Sequence, residues 1–220
     1  MLSKEIERSI CEHRIEIIVK TDILLIRHGN IDMAQRVPGR LPDVHLSPEG
    51  VEQMKKLSES LADVKIDAIY ASPLDRTVES ANIIAQNRSI EIQKCDPLVE
   101  INFGNWTGKK FADLESDPEW KQFHSYRNGT IIPDGELMVE VEARMVKLIE
   151  ELFRKHQGKT LVLVSHNDPI KSVIAHYLGI SLDMFHRITI TTASISILSM
   201  YHDLVEIRGI NLKKFSKTRF

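Results

Sequence analysis

Cysteine is scarce in this chain of 220 residues: two occur, Cys11 and Cys95, at a spacing that matches no metal-ligand or redox motif. No disulfide framework is expected, and a reduced compartment, the cytoplasm, is the expected location. Long apolar runs are lacking too. No stretch approaches the roughly 20 residues of a membrane span, and the first twenty residues mix Glu, Lys and Arg through their apolar positions, unlike the apolar segment of a secretory signal. Charge of one sign is equally absent. Lys and Arg total 29 against 31 Asp and Glu, a net charge of −2, so there is no chain-wide basic field for nucleic acid or an anionic membrane. Neither a Gly-x-Gly-x-x-Gly nor a Gly-Lys-Ser/Thr phosphate loop occurs, which removes dinucleotide and nucleoside-triphosphate readings. Any anion site must be local.

What is present is ordinary for one sizeable core, with 42% hydrophobic and 27% charged residues. Apolar runs of strand length, "DILLIRH", "DAIYAS" and "TLVLVSH", alternate with helix-period segments. Ser47-Pro48-Glu49 opens a helix expected to reach about Ala62, and Ser72-Pro73 opens a second, with Ser72 as its N-cap. "PDGELMVEVEARMVKLIEELFRKHQG" places Leu137, Val141, Met145, Leu148 and Leu152 on one helical face, with Gly158 as a stop. A fourth helix is expected from about Pro169 to Leu178, before Gly179, and "SISILSMY" with "LVEIRGI" reads as a closing hairpin turning near His202-Asp203. The alternation predicts a three-layer α/β/α sandwich with a mostly parallel central sheet, whose ligands gather beyond the carboxyl ends of the strands. Residues 1–20 form an extension with no role assigned.

That rule gives meaning to three strand ends. Arg27-His28-Gly29, Ser72 with Arg76, and Ser165-His166 each fall where a strand gives way to a loop or helix, so two arginines and two histidines can meet at one rim. A guanidinium offers a planar fork of donors suited to phosphate oxygens, and a phosphoryl group is the natural ligand. Taken singly, each residue has a plainer reading: a strand-end arginine is ordinarily solvated or ion-paired, and a lone histidine is ordinarily a satisfied core residue. Their joint placement favours the functional reading.

Four ordered stretches, "LIRHGN", "YASPLDRTVESA", "LVEINFGNWTG" and "VSHNDPIKSVIAHYLG", resemble the histidine phosphatase superfamily, in its phosphoglycerate-mutase-like branch marked by Arg-His-Gly. The likeness runs from about Thr21 to Leu204, and residues 21–220 are read as one catalytic domain. The resemblance implies that His28 is the nucleophile that accepts the phosphoryl group. It implies that Arg27, Arg76 and His166 hold the phosphoryl oxygens, and that Glu100 protonates the leaving group. No metal and no cofactor is implied, and the partner is a small phosphorylated substrate, with a homodimer left open.

Departures from the family pattern bear on specificity. Asn30 follows Arg-His-Gly where relatives carry Glu or Gln, Asn167 replaces a glycine after the second histidine, Leu137 replaces a serine after Gly135-Glu136, and Thr107 replaces a glutamate. Asn30, Arg40 and Asn167 are the candidate substrate-binding residues. Lys109, Lys110, Lys121 and Arg127 offer a second anion site if they are not a solvated face, and Trp106, Trp120, Phe123 and Tyr126 are expected to pack rather than to wall the substrate's organic part. The short segment between Glu100 and Gly135 favours a phosphatase. The alternatives are a cofactor-dependent mutase and a non-catalytic phosphoester-binding protein.

Overall fold

The computed structural model describes residues 19–216, so most of the proposed extension, residues 1–20, lies outside the described residues. β1 (Thr21–Arg27) is followed by α1 (Pro48–Ser60), β2 (Ala68–Ala71), α2 (Asp75–Ala85) and a short β3 (Ile92–Lys94). Next come α3 (Phe111–Leu114), α4 (Pro118–Ser125), α5 (Met138–Lys155), β4 (Thr160–Ser165) and α6 (Asn167–Leu178), then the hairpin of β5 (Ile195–Met200) and β6 (Val205–Leu212). The sheet order is β3-β2-β4-β1-β5-β6. β1, β2, β3 and β4 pair in parallel, and β5 runs antiparallel to both β1 and β6. This is the expected mostly parallel α/β architecture.

Side-chain alternation along β1 produces the three layers. Ile23 and Leu25 join a buried cluster with Val141, Met145 and Leu152 of α5 and Ile170, Val173 and Ile174 of α6. Leu24 and Ile26, on the opposite face, pack with Met54 and Leu57 of α1 and Ala81 and Ile84 of α2. A strand covered on both faces must be apolar throughout, which is why "DILLIR" shows no polar alternation. Each fully buried aliphatic side chain contributes about 1.5 to 3 kcal/mol.

Two expectations need correction. Ser72 is not the N-cap of α2; the helix starts at Asp75 behind Leu74, and the Ser72 hydroxyl lies 2.8 Å from His166 Nε2. Leu137 is not on the buried face of α5 but precedes it as the cap residue, and Met138 takes the core position. Ser47 does cap α1, its hydroxyl accepting from the Gly50 N–H at 3.1 Å. The strand β3 was not expected. It has three residues, none of them buried, and so carries no apolar run.

The parallel register assembles the site. Arg27 pairs with Ser165 and Ala71 with Val164, so β1 and β4 end level, β2 ends one residue short of them, and their next residues, His28, His166 and Ser72, emerge at the same edge. The amino end of α1 sits directly on the loop after His28: a Cβ on Gly50 would meet the Asn30 carbonyl oxygen at 2.1 Å, and one on Gly29 would meet the Gly50 carbonyl oxygen at 2.5 Å. Gly50→Ala should therefore destabilise the fold by about 1 to 3 kcal/mol through overpacking, although alanine is the better helix former. A urea melt checks this, and unchanged stability would mean that α1 shifts freely on the loop.

Candidate active site

His28 and His166 face each other with ring centroids 5.2 Å apart in an edge arrangement. The Nδ1 of His28 lies 2.7 Å from its neighbour's carbonyl, Gly29 O. A carbonyl can only accept, so Nδ1 carries the proton, and in the neutral ring the lone pair is on Nε2. Burial, reinforced by the Arg27 and Arg76 charges, holds the His28 pKa well below the usual histidine value. The imidazole is therefore neutral near pH 7 and available as a nucleophile. The same causes, burial first and then Arg76, His28 and Arg27, hold His166 low, so it enters the site as a neutral hydrogen-bonding ring rather than a cation.

Both arginines are tethered at one nitrogen. Arg27 Nη1 donates to Ile190 O at 2.6 Å and Arg76 Nη2 to Gly39 O at 2.6 Å. Their remaining buried nitrogens, Arg27 Nε and Arg76 Nε and Nη1, find no partner in the protein, and neither does His166 Nδ1. Buried donors left in this state are costly unless an acceptor completes them. An oxyanion with several lone pairs at one centre, such as a phosphoryl group, is such an acceptor.

Glu100 is buried, 7% exposed, and near enough to Arg76 and Arg27 to feel their charges. Desolvation chiefly, and then the nearby Asp168 carboxylate, push its pKa up to about 7 against the opposing pull of the Ile101 N–H, Arg76 and Arg27. A carboxyl poised near neutrality can donate a proton and later remove one. Its loop is braced from behind. Arg40 Nε donates to the Glu100 carbonyl oxygen and Arg40 Nη2 to Glu136, both at 2.7 Å. Arg144 donates to Glu136 at 2.8 Å and also bonds the Pro97 carbonyl, while Ser165 Oγ donates to Leu98 O at 2.7 Å.

The sequence-derived residues are thus brought together to different degrees. His28, Arg27, Arg76, His166 and Glu100 share the site. Arg40 supports the Glu100 backbone, and Asn30 turns its amide to Glu49 at 3.1 Å. Asn167 lies between Arg27 and Asp168, its Oδ1 3.5 Å from Arg27 Nη1 and its Nδ2 donating to Asp168 at 2.6 Å. Lys109, Lys110 and Lys121 are exposed, as a solvated face would be. Arg127 is instead buried and ion-paired with Asp168 at 3.0 Å. Trp106 and Phe123 pack in the core, Trp120 packs against them, and Tyr126 is largely exposed. Sequence reasoning missed Glu136, Arg144 and Asp168. Asp168 carried a faint signal, its place two residues beyond the second motif histidine.

Among the described residues, Asp43, His45 and Asp75 also come within 4.8 Å of one another, and His45 is engaged by Glu79 at 2.6 Å. No helix of the described residues is long and apolar enough to cross a membrane.

The histidine phosphatase superfamily (branch 1) family model matches residues 23–213. Phosphoserine phosphatase 1 of Hydrogenobacter thermophilus is 31% identical over 81% of this chain and 86% of its own length. Among solved structures, a phosphoserine phosphatase of Entamoeba histolytica in complex with phosphoserine superposes with a TM-score of 0.79 at 27% identity, covering 88% of this chain and 98% of that one. The α-ribazole phosphatase of Shigella flexneri shares the fold at a TM-score of 0.80 and 22% identity, over 89% and 98%. With the Arg-His-Gly strand end, the second histidine and the match along nearly the whole described chain, this protein belongs to the histidine phosphatase superfamily.

Proposed function

We propose that this phosphoric monoester hydrolase cleaves a small phosphorylated metabolite through a phosphohistidine on His28, without a metal ion. The observation that carries the reading is the set of buried guanidinium donors on Arg27 and Arg76, with His166 Nδ1 beside them, that find no protein partner, gathered around a neutral imidazole. In the first half-reaction the Nε2 lone pair of His28 attacks phosphorus, the ester P–O bond breaks, and Glu100 gives its proton to the departing alkoxide. In the second, Glu100 takes a proton from water, the water oxygen attacks phosphorus, and the P–N bond breaks to return His28 and release phosphate. Arg27 and Arg76 neutralise charge on the equatorial oxygens throughout.

The relatives' names span phosphoserine and α-ribazole phosphate, both esters of aliphatic alcohols, and an alkyl phosphomonoester is the proposed substrate class. A purified-protein panel that includes both compounds, read as free phosphate, tests this. Release should persist in chelator. Activity that dies with chelator and returns with a divalent ion would overturn the metal-free reading, and dependence on a bisphosphorylated primer would make the protein a mutase. A cytoplasmic location belongs to the same proposal and is checked by cell fractionation.

Arg76→Ala should lower kcat/KM by at least about a hundredfold, since removal of one preorganised donor to transition-state charge typically costs about 3 to 4 kcal/mol. Steady-state rates on nitrophenyl phosphate measure it. A near-normal rate would take Arg76 out of the site.

A further inference from the structure

Asn167 opens α6 as a half-buried residue between two buried ones, His166 and Asp168, and its side chain lies between an anion and a cation. Its Nδ2 donates to Asp168 Oδ1 at 2.6 Å, and its Oδ1 lies 3.5 Å from Arg27 Nη1. A carboxylate only accepts and a guanidinium only donates, so both neighbours set the same sense of the amide, nitrogen toward Asp168 and oxygen toward Arg27. Asp168 is itself held in place. Its Oδ2 accepts from Arg127 Nη1 at 3.0 Å, and the guanidinium carbon of Arg127 lies 3.8 Å from the ring centroid of Phe123 and 4.6 Å from that of Phe185.

The oxygen end of the amide has spare capacity. Arg27 Nη1 already gives Ile190 O a bond of 2.6 Å, its 3.5 Å approach to Asn167 Oδ1 is longer than a well-formed hydrogen bond, and an amide oxygen has two lone pairs. Nε of the same guanidinium is one of the buried donors without a protein partner, which the proposed mechanism fills with a phosphoryl oxygen. Asn167 Oδ1 therefore borders the phosphate pocket as an acceptor. A phosphoryl oxygen cannot satisfy it, because two acceptors repel. What can satisfy it is a donor carried by the alcohol part of the substrate.

We propose that Asn167 determines specificity: its carboxamide oxygen accepts a hydrogen bond from a hydroxyl on the carbon next to the ester carbon, so that monophosphates of vicinal diols are preferred over those of simple alkanols. The acceptor adjoins a guanidinium that holds the phosphoryl group, which requires the hydroxyl to lie close to the ester. A neutral hydroxyl suits the place better than an ammonium, because the fixed charge of Arg27 would repel a second cation. Glycine, the residue of the family pattern at this position, has no such acceptor. The inference rests on the proposed hydrolysis at His28 and names the alkyl group that it acts on.

The test is kcat/KM for hydroxyethyl, propyl and aminoethyl phosphate, read as free phosphate, in the parent enzyme, Asn167→Gly and Asn167→Ala. Hydroxyethyl and propyl phosphate differ by the exchange of a hydroxyl for a methyl group at one place. The parent should favour the hydroxyethyl ester by about tenfold, the scale of one well-formed hydrogen bond, and both variants should bring the ratio to about one. Each ratio is taken within one preparation, so it does not depend on how much of a variant is folded, and a merely structural role of Asn167 would leave it unmoved. A parent that treats the two esters alike, or variants that keep its preference, would overturn the inference. A parent preference for aminoethyl over hydroxyethyl phosphate would overturn the choice of a hydroxyl. If the parent releases no phosphate from any of the three or from nitrophenyl phosphate, the hydrolytic reading fails first and this inference falls with it.

Discussion

Replacing His28 with alanine is expected to lower turnover of nitrophenyl phosphate by at least about ten-thousand-fold, the scale seen when a covalent nucleophile is removed and only binding and electrostatics remain. Gly29 O fixes the proton on Nδ1, leaving Nε2 as the lone-pair atom, and burial beside Arg27 and Arg76 keeps the ring unprotonated. His166 is the residue that could substitute, since its ring centroid is 5.2 Å away. Its Nε2, however, is engaged with the Ser72 hydroxyl at 2.8 Å, and its free nitrogen is Nδ1. Quenching a reaction with labelled substrate under alkaline conditions should leave acid-labile label on the parent protein and none on His28→Ala. Label that survives in His28→Ala and vanishes in His166→Ala would transfer the nucleophile to His166.

Much of that site is legible in the sequence, because the chemistry sits at strand ends. Apolar runs mark β1, β2 and β4, and the residues that follow each run are the ones delivered to the rim: Arg27-His28, Ser72 with Arg76, and Ser165-His166. Family likeness added Glu100, whose loop has no periodic signal of its own. What stayed hidden depended on partners far apart in the chain. Arg127 and Asp168 are 41 residues apart, and an acidic residue in the first turn of a helix is adequately explained by the helix dipole. In the sequence Arg127 stands among lysines that are exposed, and only its stacking on Phe123 and Phe185 sets it apart from them. Arg40 illustrates the same limit from the other side. A candidate substrate-binding residue in the sequence, it braces the Glu100 carbonyl and Glu136 through two donors, a support that no local pattern reveals. The short β3 has no apolar run and owes its place to pairing with β2, a partner that local sequence does not reveal.

Glu100→Gln should separate mechanism from mere involvement, because its effect is expected to depend on the leaving group. General acid catalysis is worth about a hundredfold to ten-thousandfold. For an alkyl phosphate, whose alkoxide cannot depart unprotonated, the phosphorylation step should fall by roughly that range. Nitrophenolate leaves without help, so phosphorylation by nitrophenyl phosphate should fall by only a few fold. Glutamine is nearly isosteric, and the bond from Ile101 N–H to the side-chain oxygen, 3.0 Å in the native site, can persist, so pocket shape is not the variable. The second half-reaction is different. The same phosphohistidine is hydrolysed whichever alcohol has left, and without a base at position 100 the attack of water slows equally for both substrates. Nitrophenyl phosphate should therefore give a burst of about one nitrophenolate per active site followed by slow turnover. The alkyl substrate should show no burst, because its first step is now the slow one. The pH profile gives an independent reading: the alkaline limb that Glu100 imposes near 7 on alkyl substrates should be missing from the variant. Rapid-quench measurements on both substrates decide the matter, and equal losses in the two phosphorylation rates, with no burst, would mean that Glu100 shapes the pocket and moves no proton.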